Sequence, residues 1–110
     1  INFTAKMEIV FIDEDLAILY EGGKVKRKEL KSNPQLQKQF IKVIDRLKSL
    51  EKIEDAFIFN ALNYEKLSGN LKGKSSVRVN NQYRIIFEER VNEEDVVVIL
   101  CIEELSNHYQ

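Results

Sequence analysis

The sequence predicts an α+β domain: two N-terminal helices packed on one twisted, mainly antiparallel sheet. Three observations carry this. Leu36, Phe40, Val43, Ile44, Leu47 and Leu50 recur at three- and four-residue steps, the stripe of an amphipathic helix. Two β-rich runs, residues 75–79 and 82–87, flank the pair Asn80-Asn81. A third apolar run, residues 96–103, is dense in Val and Ile. Helices first and strands last is the order of a segregated α+β fold rather than alternating βαβ units.

In chain order, residues 1–6 precede Met7 and are read as a vector-derived or upstream extension, leaving residues 7–110 as one domain. Residues 7–12 read as a short strand. Asp13-Glu14-Asp15 offers an N-cap and first-turn acids for a helix through Tyr20, which Gly22-Gly23 ends. Asn33 caps the second helix and Pro34 fits its first position. Residues 57–62 read equally as a turn of helix or a buried connector, and residues 88–95 as an acidic loop. Asn tolerates the positive φ of a type I′ turn, so Asn80-Asn81 predicts a two-residue hairpin. That register pairs Val79 with Gln82, Arg78 with Tyr83, and Val77 with Arg84. It sets Arg78 and Tyr83 on one face, with Val77, Val79 and Arg84 on the other.

At 110 residues, 44% hydrophobic and 32% charged, the chain has the composition of an ordinary soluble domain. No apolar run approaches the roughly 20 residues of a membrane span, and no signal peptide opens the chain, so no membrane partner and a cytoplasmic location are expected. A single Cys and a single His build none of the usual zinc sites, and no metal or other cofactor is expected. Cys101, in an apolar run, reads as a buried structural thiol. Gly69 and Gly73 do not make a phosphate-binding P-loop and instead suit a loop of unusual φ.

Charge is segregated although the net charge is only −1. Residues 24–48 hold nine basic residues against Glu29 and Asp45, and residues 88–104 hold seven acids against Arg90. Either one positive and one negative face, or two ordinary solvated faces, accounts for this. From Lys66 to Arg84 there is no acid, while Lys66, Lys72, Lys74, Arg78 and Arg84 all fall there. A basic hairpin on a slightly acidic chain points to a polyanionic partner.

The same segment carries a family resemblance. Leu67, Gly69, Gly73, Ser76, Val77, Arg78, Val79, Asn80, Gln82, Tyr83, Arg84, Ile85 and Phe87 stand at the spacing L-x-G-x-x-x-G-x-x-S-V-R-V-N-x-Q-Y-R-I-x-F. This resembles the signature of the HigB-like toxins, within the RelE/ParE superfamily of type II toxin–antitoxin systems. Residues 104–109 are similar to a branch found in Bacteroides-like bacteria. The resemblance implies a metal-independent endoribonuclease cutting messenger RNA on the ribosome, held inactive by a cognate antitoxin, commonly a helix-turn-helix HigA-like protein. Two other readings stand beside it: a ParE-type toxin that inhibits DNA gyrase without chemistry, and a degenerate toxin that only binds its antitoxin.

Cleavage of this kind needs activation of a 2′-hydroxyl, stabilisation of phosphorane charge and protonation of the 5′-oxygen. Arg84 matches the family's phosphate-contacting arginine and is the first candidate. Its structural alternative is an ion pair with Glu103 or Glu104. Arg78 is the second candidate. Lys66, Lys72 and Lys74 suit contacts to the RNA backbone, and Tyr83 either stacks on a base or packs in the core. The family's closing Asp-Tyr-His is replaced here by residues 101–104, Cys-Ile-Glu-Glu, and a histidine found in some members before Leu-x-Gly gives way to Tyr64-Glu65-Lys66. His108 and Tyr109 are therefore the candidates for proton transfer from a displaced position.

Overall fold

A computed structural model describes residues 6–94 and 97–107. The chain runs β1 (Lys6–Phe11), α1 (Glu14–Tyr20), α2 (Lys28–Lys31), α3 (Pro34–Ser49), β2 (Glu65–Lys66), β3 (Lys74–Arg78), β4 (Tyr83–Asn92) and β5 (Val97–Asn107). Short 3₁₀ turns at Ile53–Phe57 and Asn60–Leu62 lie between α3 and β2, and a third at Gly69–Leu71 lies between β2 and β3.

The helix ends follow local chemistry. Asp13 Oδ1 accepts the Leu16 N–H at 3.1 Å, and Asn33 Oδ1 accepts that of Leu36 at 3.1 Å, each satisfying a donor of the first turn. Beyond α1, Gly22 takes φ +83°, a left-handed conformation that costs glycine little. Asp15 then accepts the N–H groups of Lys26 and Arg27, while the Arg27 guanidinium pairs with Asp13 at 2.6 Å. This clamp folds the basic segment after α1 back onto its start. Within that segment α2 is an unexpected single turn, which buries Leu30.

The five-stranded sheet has the order β1-β5-β4-β3-β2, with β1 parallel to β5 and every other pair antiparallel. Leu36, Phe40, Ile44 and Leu47 of α3 meet Val77, Ile85, Phe87, Leu100 and Ile102 on one sheet face, all at most 1% exposed. This is the α+β architecture expected, with the helical stripe turned inward. Cys101 is buried, 3% exposed.

Three expectations need correction. Residues 88–92, expected in an acidic loop over residues 88–95, are strand, because β4 continues to Asn92. Its charges obscured the strand pattern, but Glu88 bonds Arg90 and Glu89 accepts from two hydroxyls, so the acids are accommodated on a half-buried surface. The last strand runs to Asn107, with a register shift between Ile86 and Phe87 that leaves Glu103 without an opposite residue. Of residues 57–62, Phe57, Ile58 and Phe59 are exposed at 58%, 74% and 39%, while Leu62 is buried.

The third correction is the hairpin. Arg78 pairs with Arg84 and Val77 with Ile85, one residue out of the expected register. Asn80 Oδ1 accepts the N–H groups of Gln82 and Tyr83, both at 2.9 Å, forming an Asx turn within the four-residue connection 79–82. Neither Asn80 nor Asn81 has positive φ, so this is not a type I′ turn. Losing the Asn80 acceptor in Asn80→Ala should lower stability by about 1–3 kcal/mol. Asn81→Gly, which would stabilise a type I′ turn, should give no gain. Urea unfolding of both variants checks the pair.

Candidate functional site on the face opposite the helices

Residues alternate across a strand, so one register assignment places the whole site. Val77, Ile85 and Phe87 point to the helices, and Lys74, Ser76, Arg78 and Arg84 therefore point away. Arg78 and Arg84 are directly opposed on this second face, whereas the two-residue hairpin would have separated them.

Arg84 is held rather than free. Its Nε donates to Ser76 Oγ at 3.0 Å and an Nη donates to the Asn63 carbonyl at 2.7 Å, while the Glu65 carboxylate lies 3.8 Å away. Its side chain is 16% exposed, against 54% for Glu65. Glu65 opposes Ser76 in the β2–β3 ladder, which brings its carboxylate to this face. The acids expected as partners are placed otherwise: Glu103 pairs with Lys74, and Glu104 opposes Ile86. Arg78 is exposed, and among the described residues its side chain bonds the side-chain carbonyl of Asn81.

The carbonyl that takes Arg84 belongs to Asn63, which sits at φ 42°, ψ 55°. The next residue, Tyr64, anchors the segment. It is 6% exposed, and its hydroxyl donates to Glu89 Oε2, which also accepts the Ser75 hydroxyl at 2.6 Å. The Tyr64 ring packs edge-on to Phe57 and stacked with Phe87, with centroids at 4.6 and 6.3 Å. Burial, and then the bond to Glu89, push its phenol well above the usual tyrosine range, so it remains a donor.

The other sequence candidates are dispersed. Lys74 is ion-paired with Glu103, which raises the lysine pKa. Lys72 is exposed in the loop before Gly73, itself at φ +93°. Lys66 pairs with Ser75, so its side chain leaves on the face opposite Arg84. Tyr83 is half-buried against the helix-side core, again on the face away from Arg84. His108 and Tyr109 lie outside the described residues. Sequence reasoning missed Asn63, Glu65 and the anchoring role of Ser76. Ser76 stood in the motif two residues before Arg78, but only the true register puts it beneath Arg84.

A family model described as the RelE-like toxin of type II toxin–antitoxin system HigB matches residues 9–102. The chain belongs to the HigB-like toxins. Toxin HigB-1 of Vibrio cholerae is 34% identical over 82 residues, covering 74% of this chain and 83% of that protein. The fold is similar to a YoeB/ParE toxin from Agrobacterium tumefaciens, with TM-score 0.60, 16% identity, and 94% and 100% of the two chains covered. It is also similar to a YoeB–YefM complex from Staphylococcus aureus, with TM-score 0.51, 22% identity, and 96% and 100% covered.

In this HigB-like toxin the surface offers two guanidinium groups converging on one face, one already oriented by fixed acceptors. That geometry suits planar recognition of phosphate oxygens. The anchor beneath it has its own pH signature. The folded state disfavours the Tyr64 phenolate, so stability should be intact below the ordinary tyrosine pKa of about 10 and fall as pH rises beyond it. In Tyr64→Phe that fall should be shallower by one proton's contribution, as read from denaturant unfolding between about pH 9 and 11.

Proposed function

We propose that this toxin is an endoribonuclease that cuts messenger RNA on the ribosome, with Arg84 stabilising the phosphorane. The observation that carries the reading is the guanidinium of Arg84, held by Ser76 Oγ and the Asn63 carbonyl directly across from Arg78. A donor fixed before charge develops costs no reorganisation during the reaction. In the step itself, a base removes the 2′-hydroxyl proton and the 2′-oxygen bonds to phosphorus. The bond to the 5′-oxygen breaks, and an acid protonates the leaving oxygen. Arg84 compensates the negative charge on the non-bridging oxygens, and Arg78 assists from the opposing strand. His108 and Tyr109 remain the sequence candidates for proton transfer.

Arg84→Ala should leave the fold intact and reduce single-turnover cleavage on programmed ribosomes by on the order of 10²–10³, the usual cost of one such donor. Arg78→Ala should cost less. A wild-type rate for Arg84→Ala would move the assignment elsewhere. If His108→Ala cuts at the wild-type rate, the acid or base lies among Glu65, Glu103, Glu104, Tyr109 and the lysines. Primer extension after induction should reveal new 5′ ends within codons. Intact transcripts with DNA-damage signalling would overturn the reading in favour of gyrase inhibition.

The partner that restrains the toxin is assigned as a cognate helix-turn-helix antitoxin of the HigA type, encoded beside it. Membership of a type II toxin–antitoxin family supports this, as does the S. aureus relative, whose solved structure is a YoeB–YefM complex. Co-expression with the adjacent gene should give a complex that survives purification and abolishes toxicity. Toxicity that persists without complex formation would refute the assignment.

A further inference from the structure

A cleft of about 350 Å³ opens between α3 and the outer edge of β3, next to the Arg84 face but outside it. Lys42 and Arg46 from α3 and Arg78 from β3 line it, over a floor that includes Val43 and Leu62. The Asn80 amide donates to Gln39 Oε1 at 2.8 Å and ties the hairpin tip to the helix at one end. At the rim, the Arg46 guanidinium carbon sits 5.2 Å from the centroid of Phe59, which is 39% exposed.

Two features of this cleft ask for a ligand. Among the described residues, no ion pair joins Lys42, Arg46 or Arg78 to a carboxylate, although Lys74, Arg27, Arg84 and Arg90 each have one nearby. Three basic residues lining one cleft without an ion-paired acid make it locally positive, which favours an anion. The apolar floor and the exposed Phe59–Arg46 stack add a surface that a bare phosphate does not use and a nucleobase does. The volume falls at the low end of ligand pockets, roughly 300–1,000 Å³, which suits one nucleotide and not a duplex.

We propose that this cleft is a single-stranded RNA subsite, with phosphate against Lys42, Arg46 and Arg78 and a base stacked at Phe59. Arg78 belongs to both surfaces. Opposed residues on adjacent antiparallel strands lie about 4.5–5.5 Å apart at Cα, so a strand leaving Arg84 passes Arg78 and enters the cleft. The proposal rests on the RNA-cleavage reading, and it assigns the cleft to binding and not to the chemical step.

The test uses the full chain in an Arg84→Ala background, so that binding is read without cleavage. The probe is a fluorescent messenger RNA, on programmed ribosomes and free. Lys42→Glu with Arg46→Glu should weaken binding at least on the order of tenfold and reduce the slope of log affinity against log salt by about 1.4, two contacts at about 0.7 each. Phe59→Ala should weaken it by on the order of tenfold with the slope unchanged. With Arg84 restored, single-turnover cleavage at saturating enzyme should stay within about twofold of wild type in both. Lys31→Glu with Lys38→Glu, exposed and outside the cleft, is the control, and circular dichroism verifies folding. Unchanged affinity in the Lys42/Arg46 variant, or an equal loss in the control, overturns the subsite. So does equal affinity for DNA of the same sequence that responds identically to the variants. Cleavage retained by Arg84→Ala would refute the Arg84 assignment alone; binding is then read on the same RNA with its 2′-hydroxyls methylated, which cannot be cut, and the subsite is judged on that reading.

Discussion

The pairing of β3 with β4 is the constraint on which the site depends. With Val77 opposite Ile85, both at 0% exposure, the apolar residues of the hairpin face α3 and the arginines face away. A slip of one residue on either strand would reverse that strand's faces. Slipping β4 would turn Ile85 and Phe87 to water and forfeit about 1.5–3 kcal/mol for each. It would also press Arg84 into an apolar core without its acceptors, a cost of several kcal/mol more. The Asx turn at Asn80 and the packing of the core therefore select the same register, and the arginine pair is a consequence of both.

Arg84 is oriented from the other side of the sheet. The Asn63 carbonyl reaches it because the chain at Asn63 adopts a left-handed conformation between two buried side chains, Leu62 and Tyr64. Such a conformation is uncommon for a residue other than glycine, though Asn tolerates it best, and it persists where neighbours over-determine it. Tyr64 supplies that constraint through Glu89, which accepts hydroxyls from Tyr64 and Ser75. A buried polar network on the helix side thus sets the position of a charge on the opposite face. Ser75 and Ser76 divide the work, one bonding inward to Glu89 and the other outward to Arg84.

The distribution of charge is decided by pairing more than by sequence blocks. Asp13 and Asp15 engage Arg27, Glu103 engages Lys74, and Glu88 engages Arg90. Two acids of the acidic segment, Glu88 and Glu103, are thus neutralised by Arg90 and Lys74. Where α3 approaches the hairpin, Lys42, Arg46 and Arg78 line one cleft, and none of them is ion-paired among the described residues. A chain of net charge −1 can in this way present a locally positive surface.

Much of the fold was legible in the sequence because its signals are local. Asp13 and Asn33 mark helix starts through bonds to residues three away and Pro34 through its fixed φ, and the Leu36-to-Leu47 stripe needs only helical periodicity. The motif from Leu67 to Phe87 likewise identified the family and singled out Arg84. The site geometry was not legible, because it depends on contacts distant in sequence. Arg84 meets Asn63 and Glu65 some twenty residues earlier, and Arg78 shares a cleft with Lys42 and Arg46. The Asn80-Asn81 pair fits two turn types equally well as a string of letters. What separates them is which face of β3 and β4 is buried against α3, a property of the packed sheet and not of the hairpin alone.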